Sequence, residues 1–257
     1  MVRQRVRLFT AAAGTGGLYC RQDAVSYAKL ILLRHGQSIY NKENLFTGWT
    51  DIDLSEQGVE EAKEAGRLLA KNGLYPDICF TSWLKRAIHT AQLAMHELEW
   101  EQIDCLKSWK LNERHYGAWQ QHNKKQIEEE VGEEQFVAVR RGYATPPPPL
   151  KEGDPRLPAN DPKYRSLDPT LLPRSESLKD TRARTLNYFY EAIAPRLAKE
   201  KRVLVSAHGN SLRALVMAIE DLSPEEIVKV EIPTGVPIVY TFDQTLKMLD
   251  KNVIESS

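Results

Sequence analysis

Cysteine is scarce in this 257-residue chain, which has only Cys20, Cys79 and Cys105. Their odd number and wide spacing, with no CxxC pair, argue against a disulfide framework or a zinc site and for a reducing compartment. Long apolar runs are also missing, and none approaches the ~20 residues a membrane-spanning helix needs. Nor is there an excess of either charge, with 35 basic against 35 acidic residues and a formal net charge of zero. The basic footprint of a nucleic-acid binder is therefore absent. Any anion site must come from cations gathered locally. One more absence is regional: no acid precedes Asp23, while Arg3, Arg5 and Arg21 are present. Residues 1–28 read as a disordered extension or tag, with an arginine-rich targeting peptide as the alternative.

What is present is alternation of strand and helix signals. Leu30-Ile31-Leu32-Leu33 is a short run with no polar face, the mark of a strand buried on both sides. It ends in Arg34-His35-Gly36. Ser55 is a suitable N-cap for a helix whose Val59, Ala62, Gly66 and Leu69 share one stripe, ended by Asn72-Gly73. A strand over 77–82, a helix over about 83–98 and a strand over 105–111 follow. A charged helix is expected over 124–131, then a proline-dense stretch, 142–173, which Tyr143, Tyr164 and several leucines favour as an ordered cap over a disordered linker. Regular structure resumes with a helix over 181–197 and a strand, Lys201 to Ala207, that also runs into His-Gly. A helix opens at Ser211, Ser223-Pro224-Glu225-Glu226 is a capping box, and a last strand covers 236–242. This pattern predicts an α/β three-layer sandwich with a mostly parallel central sheet. One catalytic domain would span 29–257, with a cap inserted at about 109–175.

Six histidines occur. His89, His96 and His122 read as surface or structural residues. His35 and His208 differ, since each follows an apolar strand and precedes glycine. Neighbouring parallel strands would bring both to one carboxyl edge, where open α/β sheets hold ligands. A neutral imidazole there can accept a phosphoryl group, and a second can donate to it. A metal site is the weaker reading, because HExxH is absent and no carboxylate lies at ligand spacing from either histidine. Arg34, Arg86, Arg140 and Arg141 suit phosphate if the fold collects them. Glu113, in Leu111-Asn112-Glu113-Arg114-His115-Tyr116-Gly117, is a candidate proton donor and acceptor.

The stretches LLRHGQSIYNKENLFTGWTDIDLSEQG, TSWLKRAIHTA, SWKLNERHYGAW, RRGYATPPP, AHGNSLRAL and EIPTGVPIVY occur in that order. Together they closely resemble the cofactor-dependent (2,3-bisphosphoglycerate-dependent) phosphoglycerate mutases of the histidine phosphatase superfamily, over residues 29 to about 243. RHG alone would imply only the superfamily. The resemblance implies that His35 is the phosphohistidine, with Arg34, Arg86 and His208 completing the phosphate pocket and Glu113 moving the proton. It implies that Ser38, Asn41, Thr47, Gly48, Tyr116, Lys124, Arg140, Arg141, Gly209 and Asn210 contact substrate. It implies 2,3-bisphosphoglycerate as the priming phosphoryl donor, no metal, and interconversion of 3-phosphoglycerate and 2-phosphoglycerate, a step of glycolysis and gluconeogenesis. A cytoplasmic homodimer with phosphoglycerates as its partners, and neither nucleic acid nor membrane, is the accompanying expectation.

Three departures stand out. The family's acid after RHG is Gln37 here, Gln121-His122 replaces a small and an apolar residue, and the chain ends at Ser257 where a mobile tail usually follows. A weaker hold on the phosphoenzyme is expected from the last. The alternatives are a phosphatase or bisphosphoglycerate synthase on the same fold, with water as acceptor, and a non-catalytic binding protein. The long segment 109–173 argues against a small phosphatase. The retention of His35, His208 and Glu113 argues against a retired enzyme.

Overall fold

The computed structural model describes residues 27–200 and 202–256. The extension assigned to residues 1–28 lies almost wholly outside them. Six strands form one sheet: β1 (Ala28–Arg34), β2 (Ile78–Thr81), β3 (Cys105–Lys107), β4 (Arg202–Ala207), β5 (Pro237–Phe242) and β6 (Met248–Val253). Their order is β3-β2-β4-β1-β5-β6. The first four run parallel, and β5 and β6 are antiparallel additions at one side.

The helices are α1 (Ile39–Lys42), α2 (Glu56–Lys71), α3 (Lys85–Glu97), α4 (Lys124–Val131), α5 (Glu133–Arg140), α6 (Leu178–Tyr188), α7 (Ala194–Glu200) and α8 (Gly209–Ile219). Alternation along β1 explains the three layers, since successive side chains point to opposite faces. Leu30 and Leu32 pack with Leu197, Leu212 and Leu215. Ile31 and Leu33 pack with Ala65, Leu69, Ala91 and Ala94 on the other face. A strand covered on both sides has no polar position to spare, hence its uniform apolar run. At α2, Ser55 Oγ accepts from Gly58 N, and Asn72 with Gly73 at φ 63° ends the helix.

Several boundaries differ from those expected. The strand at 105–111 stops at Lys107 because Ser108 caps a 3-10 turn over Trp109–Leu111. The helix expected over 181–197 starts earlier, at a capping box of Ser177 and Asp180, and passes through a π-helical turn, Phe189–Ile193, before α7. The helix expected at Ser211 begins at Gly209. The reciprocal bonds of Ser223 and Glu226 do form, but only a 3-10 turn follows them. The proline-dense cap is extended chain with short 3-10 turns, pinned by buried Leu150, Pro158 and Tyr164. Its Pro148 carbonyl accepts from Ala118 N. Three elements were not foreseen, α1, α5 and β6.

Candidate active site

The β1–β4 pairing carries both histidines to one edge. Arg34 faces Ala207 in register, and the ladder continues one step as His35 N–H donates to the Ala207 carbonyl. The two rings lie with centroids 5.0 Å apart. Gly36 is required here: a Cβ would lie 2.1 Å from the Gly58 carbonyl oxygen. Its N–H donates to Thr90 Oγ1.

His35 is buried, and its Nδ1 lies 2.7 Å from the Gly36 carbonyl. A carbonyl only accepts, so Nδ1 carries the proton and Nε2 keeps its lone pair. Nε2 is accordingly the atom that accepts from Arg86 Nε, at 3.4 Å. Burial, then Arg86 and Arg34, push the His35 pKa well below its ordinary value and keep the ring neutral. His208 is fully buried and lowered in the same way, by burial first and then by Arg86. Its Nε2 pairs with Ser82 Oγ at 2.8 Å, and its Nδ1 has no partner in the protein.

Arg86, on the first turn of α3, is fully buried. It donates to the carbonyls of Thr50 and Gly48, which ties the 47–50 loop to the histidines. Burial lowers its pKa to about 10, leaving it cationic at neutral pH. Arg34 donates to the Ile232 carbonyl, while its Nε is buried without a partner. Such an orphaned donor next to a cleft is a natural mark for an anion.

Glu113 is buried on the loop after β3. Its Oε1 accepts three bonds, from Arg114 N, Asn210 N and Asn210 Nδ2. Oε2 is left for the cleft. Asn210 is itself held by Arg213, which donates to its Oδ1, and its Nδ2 also reaches Tyr116 Oη. The 110–113 backbone is clamped by Arg184, which donates to the carbonyls of Lys110, Asn112 and Glu113 and pairs with Glu176. Glu176 in turn accepts from His115 N.

The resulting cleft is about 270 Å³. It gathers Arg34, His35, Asn41, Thr47, Gly48, Arg86, Glu113, Tyr116, Lys124, Arg140, Arg141, Gly209 and Asn210 from five separate stretches of chain. Lys124, at the start of α4, has its pKa lowered to about 8 by burial and by Arg140 and Arg34. Two expected residues do not line the cleft. His208 lies beneath it, against His35. Ser38 is fully buried, caps α1 and bonds Asn41, so it positions a lining residue from behind. Gln37 faces away as well: its side chain accepts from Ser55 Oγ and donates to Gln57. Gly48, at φ 53°, is fixed by Gln120, whose Oε1 accepts from Trp49 N and would lie 2.0 Å from a Cβ.

Sequence reasoning missed Arg213, which lines the cleft and holds Asn210, along with Ser82, Gln120, Glu176 and Arg184. Polar residues on helices and loops resemble a solvated surface, and no local spacing marked them. Among the described residues, no group of three or more His, Cys, Asp or Glu could hold a metal.

This arrangement places a neutral imidazole with its Nε2 lone pair free of a proton, a second imidazole, a carboxylate and six cationic side chains around one cleft. The histidine phosphatase superfamily (branch 1) model matches residues 30–157 and 151–251. The chain belongs to the histidine phosphatase superfamily. Curated relatives narrow this to its 2,3-bisphosphoglycerate-dependent phosphoglycerate mutase family. The mutase of that name from Hydrogenobaculum sp. is 55% identical over 225 residues, 88% of this chain and 91% of that protein. The Treponema denticola mutase is 53% identical over 226 residues, 88% of this chain and 92% of that one. Among solved structures, a mycobacterial hydrolase aligns with TM-score 0.66 at 22% identity, covering 90% of this chain and all of that one. The α-ribazole phosphatase of Shigella flexneri aligns with TM-score 0.64 at 21% identity, over 89% and 96% of the two chains. At such identities the structures speak for the fold alone, whereas the curated relatives speak for the family.

Proposed function

We propose that this superfamily member interconverts 3-phosphoglycerate and 2-phosphoglycerate through a phosphohistidine at His35. The observation that carries the reading is the neutral His35 with Nε2 unprotonated, beside His208 and within the same cleft as Glu113. The orphaned Arg34 Nε and His208 Nδ1 fit an arriving phosphate, so 2,3-bisphosphoglycerate suits the site. When bound, it supplies the phosphoryl group that primes the enzyme.

In this mechanism His35 Nε2 attacks phosphorus in line, and the bond from phosphorus to the sugar-acid oxygen breaks. Nδ1 keeps its proton throughout, stabilised by the Gly36 carbonyl. Arg34 and Arg86 neutralise the equatorial oxygens. With Ser82 donating to its Nε2, His208 holds a proton on Nδ1 and offers it as a hydrogen bond to the transferring group. Glu113 Oε2 gives a proton to the departing hydroxyl oxygen and takes one back from the hydroxyl that attacks next. Lys124, Arg140 and Arg141 hold the carboxylate and the second phosphate while the molecule turns over in the cleft.

A homodimer and a cytoplasmic location, expected from the family resemblance, complete the proposal. The free thiols at Cys79 and Cys105 support a reducing compartment, and no helix among the described residues is long and apolar enough to cross a membrane. Incubation with 3-phosphoglycerate and catalytic 2,3-bisphosphoglycerate tests the reaction. Formation of 2-phosphoglycerate supports it; free phosphate without 2-phosphoglycerate overturns it in favour of a phosphatase. Acid-labile label from the bisphosphate should appear on the wild type and not on His35→Ala. Light scattering tests the dimer.

A further inference from the structure

A second cavity, of about 640 Å³, lies away from the catalytic cleft and shares no residue with it. Its walls include Val59, Met95, Ile103, Cys79 and Cys105. The two cysteines are direct neighbours across the β2–β3 pairing, Cys79 opposite Cys105. Paired residues on adjacent strands present their side chains to the same face. Adjacent strands lie ~4.8 Å apart, inside the Cα separation of about 4.4–6.8 Å that a disulfide spans. Cys79 is buried, whereas Cys105 is half-buried on the outermost strand of that side of the sheet.

We propose that Cys79 and Cys105 form an oxidisable dithiol, a modification site at which a hydroperoxide entering this cavity converts the pair to a disulfide. Cys105 is the attacking sulfur and Cys79 the resolving one. The chemistry of the pair is asymmetric in that sense. The Cys79 thiol donates to the Phe80 carbonyl from its buried place in β2, while the neighbouring Cys79 and then Lys107, two residues along the strand, bring the Cys105 pKa down to about 7 against the opposing effect of burial. The neighbouring Cys105 sulfur and burial push the Cys79 thiol well up. The less buried sulfur is therefore also the more acidic of the two.

In the first step the Cys105 thiolate attacks the distal peroxide oxygen. The O–O bond breaks, the leaving oxygen departs as hydroxide or alkoxide and is protonated, and Cys105 becomes a sulfenic acid. In the second step Cys79 sulfur attacks Cys105 sulfur. The S–O bond breaks and water leaves, taking the Cys79 proton. Two thiols give up two electrons to one peroxide, and the balance closes. A bridge that includes the half-buried Cys105 on the outermost strand is open to reductant and hence easily reduced.

The test uses the intact full-length protein and hydrogen peroxide. Free thiols counted after denaturation should fall from three to one per chain, and return to three with dithiothreitol. Peptide mapping should find Cys79 joined to Cys105 within one chain. Cys20→Ser should leave that bridge unaffected, while Cys79→Ala should stop at a Cys105 sulfenic acid that dimedone traps. Mutase activity of Cys105→Ser before oxidation should equal the wild type, as the cavity is separate from the cleft. A bridge involving Cys20, a Cys105–Cys105 link between chains, or sulfinic acid at Cys105 with Cys79 still free would overturn the proposal.

Discussion

Replacing His115 by asparagine should remove a defined part of the protein's acid sensitivity. His115 is fully buried behind Glu113, its Nδ1 accepting from Gly117 N and its Nε2 without a partner. Burial, then Arg184 and Arg156, lower its pKa to about 3 from an ordinary 6.5. The unfolded chain therefore takes up a proton near pH 6.5 that the native protein refuses. Stability is full above the unfolded value and is lost as pH falls towards the native one. At ~1.36 kcal/mol per pH unit, about 1.5 units below 6.5, His115 alone withdraws about 2 kcal/mol between roughly pH 7.5 and pH 5. Asparagine can keep an acceptor for Gly117 N and does not titrate. Urea unfolding of both proteins at the two pH values reads the difference directly, because the carboxylates contribute equally to each. The variant should lose about 2 kcal/mol less than the wild type over this range. An unchanged pH dependence would refute the reasoning. It would mean that His115 is protonated in the native state, donating from Nε2 to a group not seen here.

Three further outcomes can be checked. Glu113→Gln should lower kcat by about 10²- to 10⁴-fold with KM little changed, measured by coupled assay of 2-phosphoglycerate formation. Arg184→Met leaves Glu176 buried and unpaired and three carbonyls without their donor. It should cost about 3–5 kcal/mol in denaturant unfolding, with kcat falling as the loop bearing Glu113 loosens. Gln37→Glu should leave kcat unchanged and shift stability by no more than about 0.5 kcal/mol, since residue 37 bonds Ser55 and Gln57 outside the cleft; a large loss of kcat would show that this side chain acts on the site.

The parts of the fold legible in the sequence are those with strong periodic burial. β1 and β4 carry apolar runs, Leu30–Leu33 and Val203–Val205, because helices cover both faces. The stripe of α2 likewise follows from packing against α3 and the sheet. β6 escaped notice because it is an edge strand with nearly every residue exposed, so neither alternation nor an apolar run marks it. α5 was hidden by Gly132 at φ 82°, which ends α4 and at once opens the next helix. The histidines and Glu113 could be singled out by their places beside strand ends and turns. Arg213, Arg184 and Glu176 could not, since their meaning lies in carbonyls and side chains up to 74 residues away. Ser38 illustrates the same limit: the family resemblance implied contact with substrate, whereas its hydroxyl is spent on the helix that presents Asn41.

The spacing of the two imidazoles is inherited from the main chain. His35 and His208 each leave the carboxyl end of a strand, and those strands are hydrogen-bonded neighbours. Their separation is thus set by the repeat of a β-ladder, a dimension that surface changes scarcely alter. The cations proposed to meet the rest of the substrate come instead from α4, α5 and its C-cap Arg141. In the proposed mechanism, phosphoryl transfer and choice of acceptor are thus mounted on different parts of the scaffold. A lineage can therefore remodel the second while leaving the first intact, and swap one phosphorylated molecule, or water, for another without rebuilding the chemistry.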